Sequence, residues 1–142
     1  MDNKLLFEYS NNIDANKIVL LLCTAFDSGS VNYWCSGVET ILPKEFDLQT
    51  QTWLANPSDW ANVHKYYIAP LVEGGSVIFD VAEDDDAPPV KHVLDINSIK
   101  RGIRVMSEKY PKHWSDVVTE NDDAITGDVF IQCCLFGELI YG

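Results

Sequence analysis

The sequence predicts an α+β fold, in which a small, mainly antiparallel sheet of about three to five strands is covered by about four to five helices. Three observations support this prediction. Short segments alternate apolar and polar residues, as strands do. Longer segments repeat apolar residues every three or four positions, as amphipathic helices do. A length of 142 residues with 46% apolar residues is enough for one hydrophobic core, so residues 1–142 are predicted to form a single globular domain.

The N-terminal segment predicts a strand followed by a helix. Leu5–Tyr9 is a candidate for a short strand. Asp14 is expected to cap a helix over Ala15–Phe26, which is apolar on nearly every side and is therefore expected to be buried. Ser28-Gly29 is typical of a helix end.

The next segment combines strand, loop and helix signals. Val31–Ile41 alternates as a strand does, and its two faces carry Trp34 on one side and Val31, Tyr33 and Cys35 on the other. Pro43–Pro57 has the composition of an irregular connection. Ser58-Asp59 is expected to cap a helix from Trp60 to about Tyr67, which Pro70 would end.

A β-hairpin is predicted in the middle of the chain. Glu73-Gly74-Gly75 is a turn signal, and the strand Ser76–Ala82 follows with three apolar residues pointing inward: Val77, Phe79 and Val81. Val90–Leu94 is expected to return antiparallel to it. The acidic run Glu83–Asp86 would then lie at the hairpin tip.

The clearest helix signal follows this hairpin. Apolar residues spaced 3, 4, 3 and 4 define one stripe, formed by Ile96, Ile99, Ile103, Met106 and Tyr110. Asp95 is the expected N-cap, and Pro111 is the expected end.

Two further helices are predicted near the end of the sequence. Pro111–Val118 is expected to be a short one. The last is expected to run from Ala124 to about Tyr141, with Asn121 or Asp122 as its cap and a stripe formed by Ile125, Val129, Gln132/Cys133, Phe136 and Ile140.

Charge is the most informative property for function. The chain has 22 acidic and 10 basic residues, a formal net charge of −12. Segments 66–90 and 116–142 are rich in Asp and Glu and contain no Lys or Arg. A surface of this kind repels free nucleic acid and anionic membranes, and it attracts basic surfaces. We therefore expect the protein to act by binding, with no direct contact to nucleic acid or membrane.

Seven acidic residues are the candidate partner-binding residues: Glu83, Asp84, Asp85, Asp86, Glu120, Asp122 and Asp123. A solvated hairpin tip is the competing interpretation of the first four. For the last three, the competing interpretation is that they complement the positive end of a helix dipole. Only alternate carboxylates of an extended run point to the same side, which supplies too few oxygens for Ca²⁺ or Mg²⁺, so no metal is expected.

Mimicry of DNA by this charge depends on how the acids are arranged. Duplex DNA carries two charges per ~3.4 Å of axis, so twelve net charges correspond to about six base pairs, or roughly 20 Å. A domain of this length is about 35–40 Å across. Mimicry therefore requires the acids to gather on one face.

A second hypothesis uses the basic residues. Lys100, Arg101 and Arg104 lie off the apolar stripe of their helix, where they are able to hold a phosphate-bearing ligand while Trp34 stacks on a base. The protein would then be a small-ligand binder that sequesters a nucleotide signal. A solvated face with acids nearby is the competing interpretation.

No feature of the sequence predicts catalysis. The nucleophile, phosphate-binding and zinc-protease motifs are absent, and His64, His92 and His113 lack zinc-ligand spacing. Cys35, Cys133 and Cys134 lie in predicted core elements, so inert reduced thiols are expected, although the reactivity of each stays open. We expect a non-enzyme without a cofactor.

The order of several segments resembles a family of small proteins of unknown function encoded by tailed phages and bacterial prophages. The matching segments are Val31–Cys35, Gly74-Gly75 before a strand, Leu94-Asp95 … Gly102-Ile103, Asp128–Gln132 and Phe136–Gly142. They span roughly two thirds of the chain in patches. The resemblance implies a phage accessory protein in the cytoplasm of a bacterial host. Glu83–Asp86 lies outside the pattern.

Charge and resemblance together predict a counter-defence inhibitor. Its acidic, DNA-mimicking surface would occupy the basic nucleic-acid-binding surface of a host complex, in an anti-CRISPR or anti-restriction role. The N-terminus lacks the pattern of a signal peptide, in agreement with a cytoplasmic site. The oligomeric state stays open, with a homodimer among the options.

Overall fold

The structure, a computed structural model, describes residues 9–10, 13–27, 30–44, 46, 68–83, 86–121 and 123–141. Within these ranges it contains a three-stranded antiparallel sheet, a two-stranded ribbon and four α-helices, which confirms the α+β fold. None of these helices is long and apolar enough to cross a membrane. Several predictions lie wholly or mostly outside the described residues: the strand Leu5–Tyr9, the loop Pro43–Pro57, the helix Trp60–Tyr67, and Asp84, Asp85 and Asp122.

The first helix begins where the sequence predicts. Strands β1 (Tyr9–Ser10) and β2 (Ile13–Asp14) form the antiparallel ribbon, and α1 (Ala15–Asp27) follows directly. The Asp14 carboxylate accepts a hydrogen bond from the Lys17 backbone N–H at 2.9 Å, which confirms Asp14 as the cap. The helix is buried except on the side of Leu20, whose side chain is 49% exposed.

The predicted strand Val31–Ile41 begins later than expected. A short 3₁₀ helix (Ser30–Tyr33) comes first, and the Trp34 backbone N–H donates to the Val31 carbonyl at 3.2 Å. Strand β3 is Cys35–Ile41. Trp34 and Cys35 are both buried, so the predicted placement of Trp34 opposite Cys35 is wrong, because the turn breaks the alternation.

The predicted hairpin is confirmed. Gly74 has the positive φ of 81° expected in its turn, and β4 (Ser76–Val81) buries Val77, Phe79 and Val81 completely. Strand β5 (Val90–Leu94) pairs antiparallel with β4, so the sheet order is β3-β4-β5. One face of the sheet packs on the core, and the other exposes side chains of the edge strands, including Glu39, Ile41, Lys91 and Val93.

Helix α2 (Ile96–Lys109) agrees closely with its predicted bounds. Asp95 and Ser98 form a reciprocal capping box, in which the Asp95 carboxylate accepts the Ser98 N–H at 3.0 Å. Ile99, Ile103 and Met106 of the predicted stripe are buried. Pro111 starts the next helix, α3 (Pro111–Val118), as expected.

Helix α4 (Ala124–Phe136) departs from its prediction in three ways. Its N-cap is Asp123, whereas Asn121 or Asp122 was expected. It ends at Gly137, whose φ of 73° is the left-handed conformation of a typical C-cap, so it does not continue to Tyr141. The predicted stripe is also wrong, because Ile125 is 65% exposed while every residue from Thr126 to Leu135 is buried.

Helix α4 is buried on all sides because α1 and α2 both pack against it through glycines. A Cβ on Gly127 would lie 3.1 Å from the Ala25 backbone nitrogen of α1. A Cβ on Gly102 of α2 would lie 3.1 Å from the Cys134 backbone nitrogen. The helix backbones therefore touch directly at both points, and α4 has no solvent face along most of its length.

Candidate acidic interaction site

The connection between β4 and β5 carries the first group of acidic residues. Glu83 and Asp86 are exposed and lie between the end of β4 and the start of β5. The carboxylate of Glu83 contacts His92 Nε2 at 2.8 Å, and 46% of the Glu83 side chain stays exposed. The antiparallel pairing of β4 with β5 holds the ends of this connection together. We call Asp80, Glu83 and Asp86 the acidic hairpin end.

Asp80 adds a paired carboxylate to this end. It lies on the exposed face of β4, and its carboxylate accepts a hydrogen bond from Lys91 Nζ at 2.8 Å. This bond and the Asp80 charge raise the pKa of Lys91 above its usual value. The acidic hairpin end is therefore partly neutralised by one group of β5, the Lys91 ammonium.

The second group of acidic residues has a structural role in part. The Asp123 carboxylate accepts hydrogen bonds from the Thr126 backbone N–H at 3.0 Å and from its hydroxyl at 3.2 Å. The backbone bond is the main reason that the pKa of Asp123 is lowered. Glu120 is exposed, and its φ of 61° places it in the left-handed turn that ends α3.

The two acidic groups lie at opposite ends of α4. The His92 ring, which is bonded to Glu83, contacts the ring of Phe136 at the last turn of α4, with 4.9 Å between ring centroids. Asp123 caps the first turn of the same helix. Thirteen residues of helix separate these positions, a length of about 20 Å. The candidate residues that the structure describes therefore form two separate groups and no single cluster.

The four residues of the nucleotide-binding hypothesis do not form one open pocket. Lys100 and Arg104 are exposed on α2. Arg101 is also exposed, but its guanidinium donates to the Cys134 and Leu135 carbonyls at the end of α4. Trp34 is 5% exposed and stacks on Tyr141, with 5.9 Å between ring centroids. A buried indole is not available to stack on a base, so the geometry does not favour this hypothesis.

A buried polar network was not predicted from the sequence. The Trp34 indole N–H donates to Asp128 at 2.7 Å, and the Gln132 amide donates to the other Asp128 oxygen at 3.0 Å. Gln132 also binds the backbone of Ile140 and Tyr141. The sequence indicates only that Asp128, as an acid on an apolar helix, needs a solvent face or a partner.

Cys35, Cys133 and Cys134 are buried free thiols. Burial raises the pKa of Cys35, and it raises the pKa of Cys133 to about 12. Cys134 is shifted upward by burial as well, well above its usual pKa. Thiolates are therefore disfavoured at neutral pH. Among the described residues, no group of three or more His, Cys, Asp or Glu is placed to hold a metal ion.

Comparison with known proteins adds no relative. No protein-family model, no curated protein and no solved structure matches the chain. Function must therefore be inferred from the fold and from the geometry of its surface.

Proposed function

We propose that the protein acts by binding, and that its acidic hairpin end occupies the basic nucleic-acid-binding surface of a partner complex. The observation that carries the proposal is the placement of Glu83 and Asp86. Both are exposed on a connection whose ends are held together by the pairing of β4 with β5. In its specific form, the protein is a phage-type counter-defence inhibitor in the bacterial cytoplasm, acting on a CRISPR or restriction complex. This specific form depends on the sequence resemblance.

Electrostatics supports competition with nucleic acid. The net charge of −12 equals the phosphate charge of about six base pairs of duplex. A basic surface that normally contacts a duplex would meet the carboxylates of the acidic hairpin end. The attraction is expected to fall steeply with salt, because the Debye length shortens from about 30 Å at 0.01 M to about 8 Å at 0.15 M.

The proposal is tested by recovery of partners from a bacterial lysate with tagged protein, washed at low and high salt. We expect a nucleic-acid-binding complex that is retained at low salt and released at high salt. A variant with Glu83, Asp84, Asp85 and Asp86 all changed to Ser should lose it. A complex retained equally by this variant would overturn the role of the hairpin end.

A control variant removes acids elsewhere. Glu73→Ser, Glu108→Ser and Asp116→Ser together remove three negative charges, and Glu73 precedes β4 at the end opposite Glu83. Their loss changes the net charge without changing the acidic hairpin end. We expect the control to retain the complex. If both variants lost the same amount of recovered complex per charge removed, the binding would depend on net charge in general. This result would contradict a localised site.

A further inference from the structure

The three-stranded sheet presents one of its faces to solvent. Val77, Phe79 and Val81 of β4 are buried in the core, so the residues that alternate with them face the opposite way. The strand register extends this second face onto β3 and β5. We call it the outer sheet face, and its large side chains are those of Glu39, Ile41, Ile78, Asp80, Lys91 and Val93.

Three apolar residues form a row across the outer sheet face. Ile78 of β4 is the register partner of Val93 in β5. Ile41 of β3 is diagonal to Ile78, because its own partner is Ser76, two residues earlier in β4. Ile41 is 41% exposed and Val93 is 47% exposed, so solvent reaches both ends of the row. Single exposed apolar side chains are common on any protein, whereas neighbouring ones form the patches at which partners bind.

Acidic residues border this row. Glu39 is the register partner of Ile78 on the β3 side, and Asp80 lies two residues further along β4. Lys91 on the same face is committed to these acids, because its Nζ donates to Asp80 at 2.8 Å. This bond, with the charges of Asp80 and Glu39, raises the pKa of Lys91. Asp80 also belongs to the acidic hairpin end, so the two surfaces are continuous.

Charge selects among the occupants of the outer sheet face. Nucleic acid and anionic membranes are repelled by a chain with a net charge of −12. A second copy of the chain carries the same charge and is repelled as well. A basic protein surface is attracted, and apolar side chains between its basic groups would meet the apolar row.

We infer that the outer sheet face extends the interface of the acidic hairpin end and binds a protein segment in which basic side chains flank apolar ones. This inference rests on the proposed function and adds an apolar contact to it. Exposed ion pairs contribute little to affinity, whereas burial of apolar surface is not screened by salt. The apolar row therefore discriminates between basic surfaces, since a surface without apolar side chains gains nothing from it.

The probes are two synthetic peptides of equal length and charge, one alternating Lys and Leu and the other alternating Lys and Ser. Each is titrated into protein with ¹³C-labelled Ile and Val methyl groups. We expect saturable methyl shifts of Ile41, Ile78 and Val93 with the Lys-Leu peptide, and binding of the Lys-Ser peptide that is at least about fivefold weaker. Ile41→Thr combined with Val93→Thr should weaken Lys-Leu binding about fivefold and leave Lys-Ser binding unchanged. Threonine keeps the β-branched shape that strands favour.

The control variant is Leu20→Gln combined with Ile125→Gln, which removes two exposed apolar side chains from α1 and α4. It should bind the Lys-Leu peptide as the parent protein does. Equal binding of the two peptides by the parent, or equal weakening by the control and the Thr variant, would overturn the role of the row. Tighter binding of a Glu-Leu peptide would overturn the choice of a basic partner. Self-association in analytical ultracentrifugation that the Thr variant abolishes would assign the face to a second copy instead.

This inference and the proposed function fail separately. Changing Glu83, Asp84, Asp85 and Asp86 to Ser removes charge and leaves the apolar row intact. If only this Ser variant binds the Lys-Leu peptide more weakly, the acidic hairpin end contributes and the outer sheet face has no role. If only the Thr variant binds it more weakly and the Ser variant keeps the lysate complex, the row binds and the role of the hairpin end is wrong.

Discussion

Gln132 is a buried amide whose polar atoms are all in use. Its nitrogen donates to Asp128 at 3.0 Å and to the Tyr141 carbonyl at 2.8 Å. Its oxygen accepts the backbone N–H groups of Ile140 and Tyr141. The side chain therefore joins α4 to the segment that follows it, and that segment places the Tyr141 ring against Trp34. Satisfied buried networks of this kind fix one arrangement of a core.

Gln132→Leu is expected to destabilise the fold by about 2–4 kcal/mol, because Asp128 loses a donor and two backbone N–H groups lose their acceptor. Urea unfolding followed by circular dichroism measures this free energy. Glu138→Gln, at an exposed position of the same segment, is the control and should stay within ~0.5 kcal/mol. Equal stability of Gln132→Leu and the parent protein would contradict the role of the amide.

The sequence predicts which charged residues are exposed, but it does not predict which side chains form hydrogen bonds with one another. The exposure of Glu83 and Asp86 follows from a run of acids between two apolar strands. The contact between Trp34 and Asp128 joins residues 94 positions apart, and nothing local in the sequence indicates it. The sequence pattern of an aromatic residue is the same in a core as in a ligand pocket. The sequence therefore allows Trp34 to be placed in a ligand site.

At the scale of elements, α2 and α4 show when the periodicity of apolar residues is sufficient to predict the bounds and the buried face of a helix. Helix α2 packs one side on the core, so its apolar stripe marks both its bounds and its buried face. Helix α4 has neighbours on several sides, so its sequence is apolar all round and no stripe can be read. Helix α4 ends at Gly137. Apolar residues continue after this glycine, so the sequence predicts a helix that is too long.

Asp123 gives α4 a cap whose strength depends on pH. Asp123→Ala should cost about 1 kcal/mol at pH 7, whereas Asp123→Asn should cost little, because Asn caps about as well. The pKa of Asp123 is lowered in the folded state, so its contribution is fully present above the unfolded value near 3.9. It is lost as the pH falls through the lower folded value.

Urea unfolding at pH 7 and at about pH 2.5 measures this dependence for the parent and both variants. The difference between the parent and Asp123→Ala should shrink on acidification. The Asp123→Asn cap does not titrate, so this variant should lose less stability than the parent between the two pH values. A parent-to-Ala difference that is equal at both pH values would show that the carboxylate charge does not contribute to the cap.

At the scale of the whole molecule, net charge opposes compactness. With −12 on 142 residues, repulsion among carboxylates raises the free energy of the folded state. Increasing NaCl from ~10 mM to ~150 mM should therefore raise stability by about 1 kcal/mol, or roughly 3–5 °C in Tm. Sodium sulfate at equal ionic strength separates screening from the exclusion of sulfate from protein surfaces. A falling Tm in NaCl would show that favourable ion pairs outweigh the repulsion.

The arrangement of the whole candidate site cannot be predicted from the sequence. The sequence shows two acidic segments without basic residues, and it correctly predicts the hairpin of β4 and β5. Their placement at opposite ends of α4 depends on the contact of His92 in β5 with Phe136, a contact between segments that are far apart along the chain. Counting charges cannot reveal this distance.

The close packing of Gly102 and Gly127 has a consequence for recognition. Because α4 touches its neighbours backbone to backbone at both positions, it cannot slide or roll unless the three helices separate. The two ends of α4, with Asp123 at one and Phe136 against the His92 ring at the other, are therefore held at a constant spacing. A complex that contacts both ends would require little ordering of this protein, and selection among partners would depend on whether their basic groups match a fixed spacing.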